Sequence, residues 1–228
     1  MFITFEGTEG SGKSSRIADA AAFLKKQGKD CIVTLEPGST RIGAKIRAIL
    51  LDPASRELDH MAELLLYMAD RAHHIATVIR PALAAGKIVL CDRYSDATLA
   101  YQGYARGLDL EMLKNLHRLL MDDLKPELTL LLDLSPETGL KRAWKQIHSG
   151  ERTDSESRFE AEKIAFHEKV RAGYLEIARQ EPQRFRIIDA SASPEAVQEN
   201  IHRILLHCCT VCPPPAGSGT FYADNVKL

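Results

Sequence analysis

The eight residues Gly7-Thr8-Glu9-Gly10-Ser11-Gly12-Lys13-Ser14 constrain this chain more than any others. They fit the phosphate-binding loop pattern G-x-x-x-x-G-K-[ST] at every fixed position. Gly7 and Gly12 allow the backbone to bend so that successive N–H groups point inward at phosphate oxygens. Lys13 adds a cation, and the Ser14 hydroxyl is a ligand for Mg²⁺. The flanks agree. Phe2-Ile3-Thr4-Phe5 reads as a buried parallel strand, and Ile17, Ala20, Ala21 and Leu24 follow at helical spacing. A helix N-terminus therefore faces the phosphates.

The same rhythm recurs along the chain. Apolar strand-like runs fall at Phe2–Phe5, Cys31–Leu35, Ile88–Cys91, Leu128–Leu132 and Phe185–Ile188. Helical patterns lie at about 14–27, 40–51, 57–85, 109–122, 135–149, 158–179 and 194–207. Alternating strands and helices predict an α/β fold, a doubly wound five-stranded parallel sheet with helices on both faces. Ligands in such sheets bind beyond the carboxyl ends of the strands. The loop Gly7–Ser14, the run Glu36-Pro37-Gly38 and the pair Asp92-Arg93 all fall there. Residues 149–158 carry no apolar side chain, which predicts a surface loop able to act as a lid. Residues 1–207 read as a single domain, and 208–228, with Pro213-Pro214-Pro215, as a tail.

Bulk properties exclude several classes. With 30 basic and 31 acidic side chains the net charge is −1, which argues against nucleic acid or a membrane surface as partner. No apolar run approaches a membrane span and no leader is visible, so a cytoplasmic location is expected. Cys31 and Cys91 fall in strands, where a free thiol behaves as a small hydrophobe. The run His207-Cys208-Cys209-Thr210-Val211-Cys212 holds one C-x-x-C pair, too few ligands for a structural zinc site.

A second constellation stands beside the loop. Asp92 at a strand end is placed to hold Mg²⁺ through water, and Arg93 to fork onto phosphate oxygens. Tyr67 and Arg71 lie four apart on one helix and share a face, where a ring could stack on a base and a guanidinium bond its edge. His73 and His74 read as helix surface or pocket rim.

Taken together, Gly7–Ser14, Glu36-Pro37-Gly38, Ala44-Lys45-Ile46-Arg47, Tyr67-x-x-x-Arg71, Asp92-Arg93-Tyr94 and Ala100-Tyr101-Gln102-Gly103 resemble the bacterial thymidylate kinases, from about residue 2 to 206. The resemblance implies a P-loop nucleotide kinase that moves the γ-phosphoryl group of ATP to dTMP, with Mg²⁺ held near Ser14 and Asp92. It implies that Lys13 and the segment Gly7, Thr8, Glu9, Gly10, Ser11, Gly12, Ser14 and Ser15 bind ATP. Glu9 would accept from the 3′-hydroxyl of dTMP. Arg47 and Arg93 would grip the acceptor phosphate, with Glu36 also on the acceptor side. Tyr67 would stack on thymine, Arg71 would bond its edge, and Thr98 and Gln102 would complete the base contacts. Tyr101 would pack where a 2′-hydroxyl would otherwise sit. The phosphate loop carries no arginine, a pattern that in this family goes with lid arginines, so Arg158 and then Arg152 are expected at the transferring group. A homodimer packed through long helices is also implied, with 57–85 as the candidate.

The sequence departs from the family pattern at Leu35, Ser39 and Tyr67, where Arg, Gly and Phe are usual. Another acceptor, such as a different nucleoside monophosphate or a deoxynucleoside, stays open. A guanine-specific switch does not, because no Asn-Lys-x-Asp run occurs.

Overall fold

The computed structural model describes residues 1–151 and 153–211, with side chains through residue 208. Five strands, β1 (Phe2–Glu6), β2 (Cys31–Leu35), β3 (Ile88–Asp92), β4 (Leu128–Asp133) and β5 (Phe185–Asp189), form a parallel sheet in the order β2-β3-β1-β4-β5. The central strand β1 is buried throughout, whereas the edge strands β2 and β5 leave Val33 and Ile187 exposed. That contrast follows from the packing: inner parallel strands are covered on both faces and edge strands are not. Register levels three strand ends, since Phe5 and Leu35 both pair across from Asp92. The phosphate loop, Glu36 and Arg93 consequently leave the sheet side by side.

Helices α1 (Lys13–Lys26), α2 (Arg41–Leu51), α3 (His60–His74), α4 (Arg80–Ala84), α5 (Ser95–Thr98), α6 (Leu110–Met121), α7 (Pro136–His148), α8 (Ile164–Gln180) and α9 (Pro194–Val211) complete the chain. On α1 the buried residues are Lys13, Ile17, Ala20, Ala21 and Leu24, which seat it against β1, β2 and β3, with α9 alongside. Among the described residues, no helix is long and apolar enough to cross a membrane.

Three departures from the sequence reading have local causes. The helix expected over 57–85 begins only after Asp59, whose carboxylate caps Met61 and Ala62 N–H at 2.9 and 3.2 Å. It then widens into a π turn at Ile75–Ile79, just ahead of Pro81, which has no N–H to give and whose ring crowds the preceding turn. Residues between Asp92 and Leu108, assigned to no helix from sequence, form α5 and a second π turn at Leu99–Ala105. The helix expected from 158 starts at Ile164, and the end of the supposed surface loop is not exposed: Ser157, Arg158, Phe159 and Glu160 are all buried. The last helix runs past residue 207 to Val211, and the reading of the cysteines beyond 208 lies outside the described side chains.

Candidate active site

The loop after β1 is built on glycines that no other residue could replace. Gly7, Gly10 and Gly12 have φ of 139°, 67° and 88°, a region that L side chains rarely enter. A Cβ on Gly10 would stand 2.0 Å from the Gly139 carbonyl oxygen, and one on Gly139 2.3 Å from the Glu9 carbonyl oxygen. The loop therefore lies backbone to backbone on the first turn of α7. Lys13 is buried and curls back into the loop, donating from Nζ to the Gly7 and Thr8 carbonyls at 3.0 and 2.9 Å. Burial, with the Arg93 guanidinium adding to it, pulls its ammonium down to about 8. Ser11 Oγ donates to Thr8 O at 2.9 Å and so tightens the bend. Ser14 Oγ donates to Asp92 Oδ2 at 3.2 Å, which brings the two expected oxygen ligands together at the loop mouth.

Arg93 follows with φ 66°, a strained conformation for a residue with a side chain. It turns the guanidinium back over the Tyr101 ring, 4.9 Å from its centroid, and NH2 donates to Glu9 Oε1 at 3.1 Å. Glu9 is surrounded by donors. Tyr101 OH bonds Oε1, and His167 Nδ1 lies 3.1 Å from Oε2. Burial alone would raise the Glu9 carboxyl, but the His167 hydrogen bond and the charges of Arg93, His167 and Lys13 outweigh it and hold it well below the usual range. His167 belongs to a buried stripe of α8 with Val170, Tyr174 and Ile177. Tyr174 OH donates to Glu6 Oε2 at 2.7 Å, and burial pushes that carboxyl up to about 7.

A second group lies against α3. Arg71 is buried and divides its donors among Glu36 Oε2 (2.7 Å), Thr98 Oγ1 (2.9 Å) and Tyr94 O (3.0 Å). His74 is not on the surface or the rim. It is fully buried, with Nδ1 at 2.9 Å from Glu36 Oε1 and Nε2 at 2.6 Å from Thr34 Oγ1. Burial would raise Glu36, but Arg71 and His74 reverse the direction and hold it low. Nearby, burial pushes Asp70 up to about 6. Tyr67 is half-buried against the cluster of Tyr101 and Phe166. Gln102 is buried and donates to Glu63 Oε1 at 2.8 Å.

A cavity of about 860 Å³ takes in both groups: Lys13, Ser14, Ser15, Asp92 and Arg93 line it together with Tyr67, Arg71, Thr98 and Gln102. Gly10, Gly12, Glu9, Glu36, Arg47 and Tyr101 line it as well, whereas Gly7, Thr8 and Ser11 shape the loop from behind. Arg47 is engaged by a carboxylate of the 149–158 segment: its Nε and NH2 fork onto Glu156 at 2.9 and 2.7 Å.

Arg158, expected at the transferring group, stands apart from the phosphate loop in this structure. It does not line the cavity. Its NH2 donates to Glu63 Oε2 at 2.6 Å and its NH1 to Leu50 O at 2.9 Å, both fully buried. A guanidinium paired with a carboxylate out of water is held there, because leaving would strand a buried charge. Arg152 lies outside the described residues. Cations that sequence reading missed do reach the cavity: Arg142 and Lys145 on α7, with Arg16 on α1. Their signal was present, since Arg142 and Lys145 are three apart and share a helix face.

A central strand that ends in a phosphate loop, with cations facing it across one cavity, defines a nucleotide kinase of the P-loop class. Comparison with known proteins makes the assignment specific. The thymidylate kinase family profile matches residues 5–201. Thymidylate kinase of Desulfosudis oleivorans is 53% identical over 190 residues, 83% of this chain and 89% of that one. Thymidylate kinase of Syntrophotalea carbinolica is 52% identical over 217 residues, 95% and 99% of the two chains. The crystal structure of thymidylate kinase from Ehrlichia chaffeensis superposes with a TM-score of 0.71 at 30% identity, covering 90% of this chain and 98% of that one. The chain belongs to the thymidylate kinase family.

Proposed function

We infer that the protein transfers the γ-phosphoryl group of ATP to dTMP, giving dTDP. The observation that carries this reading is that phosphate-binding groups and base-sized polar and aromatic groups line one and the same cavity. Such a reaction asks little covalent chemistry of the protein; it needs two anions held in line and their repulsion offset. Lys13 and the loop amides would hold the ATP phosphates, with Arg142 and Lys145 on the donor side. Arg93 and Arg47 would hold the acceptor phosphate, which for Arg47 means exchanging Glu156 for a phosphate oxygen. Glu9 would accept from the sugar 3′-hydroxyl, kept in its ionised, accepting form by His167 and Arg93. Tyr101 would pack beneath the sugar, Tyr67 on the base, and Arg71 and Thr98 at the base edge.

Ser14 and Asp92 suit Mg²⁺: both offer hard oxygens, and Mg²⁺ is usually held by one or two protein ligands plus substrate phosphates. When bound, the ion would supply positive charge to offset that of the phosphates. The acceptor oxygen is already deprotonated near neutral pH, so no general base is required. A cytoplasmic location goes with these substrates.

A coupled ADP-release assay across dTMP, dUMP, dCMP, dGMP and thymidine, with ATP and Mg²⁺, tests the reading. dTMP is expected to be fastest, with dUMP slower but measurable, because one methyl contact is worth only ~1–3 kcal/mol. Turnover of thymidine or dGMP above that of dTMP would overturn it.

A homodimer is also part of this reading. Ile42 and Ile49 of α2 and Met61 and Leu65 of α3 are exposed, an apolar surface suited to a second copy. Sedimentation should give twice the monomer mass, and Leu65→Lys should lower it. A monomer at every concentration would reject the assembly.

A further inference from the structure

We propose that Glu63 is a positioning residue that fixes the Gln102 side-chain amide with its carbonyl oxygen facing the cavity, so that the site takes a pyrimidine carrying hydrogen on the ring nitrogen beside its 4-carbonyl, and rejects cytosine. The inference rests on Gln102 standing in the base pocket, as argued above, and adds what orients it.

The two ends of a glutamine amide have nearly the same shape, and chemistry alone tells them apart. Here the chemistry is decisive. Glu63 is fully buried and faces two guanidiniums. Arg158 NH2 lies at 2.6 Å from Oε2, and Arg106 Nε and NH2 lie at 3.5 Å from Oε1 and Oε2. Guanidinium groups offer only donors, so both carboxylate oxygens act as acceptors. The Gln102 atom at 2.8 Å from Oε1 must then be the NH₂ nitrogen. A flipped amide would set oxygen against oxygen in a buried place, where an unpaired polar atom is costly.

The amide oxygen is left to turn elsewhere. Among the described residues no donor reaches it, yet it is not one of the buried side-chain atoms lacking a partner, so it opens on the cavity that Gln102 lines. Gln102 sits in the π turn that continues from Thr98, and Thr98 accepts from Arg71 NH1 at 2.9 Å. Arg71 lines the same cavity and keeps two of its five N–H groups beyond those given to Glu36, Thr98 and Tyr94, so the base can meet a donor on Arg71 and an acceptor on Gln102. Thymine and uracil present the matching pair, a carbonyl oxygen beside an N–H. Cytosine presents the reverse, an amino group beside a bare ring nitrogen. Arg158 and Arg106 hold Glu63 in turn. Arg158, expected to serve the phosphates, on this proposal serves base selection through one intermediary.

The test measures kcat/KM on the full-length enzyme with ATP and Mg²⁺, using dTMP, dUMP, dCMP and N3-methyl-dTMP as acceptors. In the unaltered enzyme, N3-methyl-dTMP and dCMP should fall on the order of 10²-fold or more below dTMP and dUMP, since a site built to hydrogen-bond a group rejects an analogue lacking it. This arm needs no variant and survives a failure of Glu63→Gln to fold. N3-methyl-dTMP within threefold of dTMP would overturn the orientation. Glu63→Gln, whose new amide can meet either face of Gln102, should lower the dUMP:dCMP ratio by about tenfold and leave the dTMP:dUMP ratio, set by the methyl contact, where it was. A merely structural loss would lower all acceptors together and leave both ratios fixed, which rejects the proposal. Gln102→Leu separates the two levels of argument. If it alters the dUMP:dCMP ratio and Glu63→Gln does not, the base pocket stands and the role of Glu63 falls. If Gln102→Leu alters neither KM for dTMP nor that ratio, the placement of the base falls, and this inference with it.

Discussion

Lys13→Ala is expected to lower turnover by on the order of 10³-fold or more. The side chain is buried at the centre of the phosphate loop, and its ammonium already points at two loop carbonyls. Neither Arg93 nor Arg16 is free to take its place: Arg93 is committed to Glu9 and Tyr101, and Arg16 donates to the Pro194 carbonyl at 3.0 Å. The fold itself should survive, because Ile17, Ala20, Ala21 and Leu24 anchor α1 independently of the lysine. Steady-state rates with ATP and dTMP, alongside a circular dichroism spectrum and an unfolding midpoint, give the answer. A rate near that of the unaltered enzyme would remove the loop from the mechanism.

Arg158→Ala should show the opposite pattern. Removing one partner of a buried ion pair strands the other, at a cost of about 3–5 kcal/mol in stability. Glu63 would keep only the longer contacts from Arg106 and the amide of Gln102. Turnover with dTMP per folded molecule should change by less than about tenfold, because the guanidinium touches no residue of the phosphate loop. A cation acting on the transferring group would instead show a loss of about 10³-fold or more. Urea unfolding and kcat, corrected for the folded fraction, measure both quantities on one preparation. A large fall in kcat at unchanged stability would return Arg158 to the phosphates.

The contrast between these two residues marks what could be read in advance. Lys13 belongs to a local pattern in which strand, glycines, lysine and helix lie within a few residues of one another. The five strands were legible for the same reason, since inner parallel strands are continuous apolar runs. The pairing of Arg158 was not legible because its partner Glu63 is 95 residues away in sequence. A polar stretch was taken to be exposed, but paired charges can be buried, and composition does not show the pairing. His74 was assigned to the surface for the same reason: Glu36 and Thr34, which enclose it, lie on another element. The π turn carrying Tyr101 and Gln102 escaped because its wider pitch breaks the 3.6-residue period on which helix recognition depends. Tyr67, Arg71, Thr98 and Gln102 could be named from sequence, and all four line the one cavity. Their hydrogen-bond roles, above all the direction of the Gln102 amide, required knowing which group stands behind each one.

The mutual contact of Gly10 and Gly139 has a mechanical consequence. With the Gly139 carbonyl standing where a Gly10 side chain would be, and the Glu9 carbonyl where a Gly139 side chain would be, the nucleotide cradle and the opening turn of α7 form one piece packed backbone to backbone. That piece carries Arg142 and Lys145, so these cations keep a fixed station relative to the cradle whatever the rest of the chain does. Any opening and shutting of the cavity would therefore leave the spacing between the cradle and these two cations unchanged.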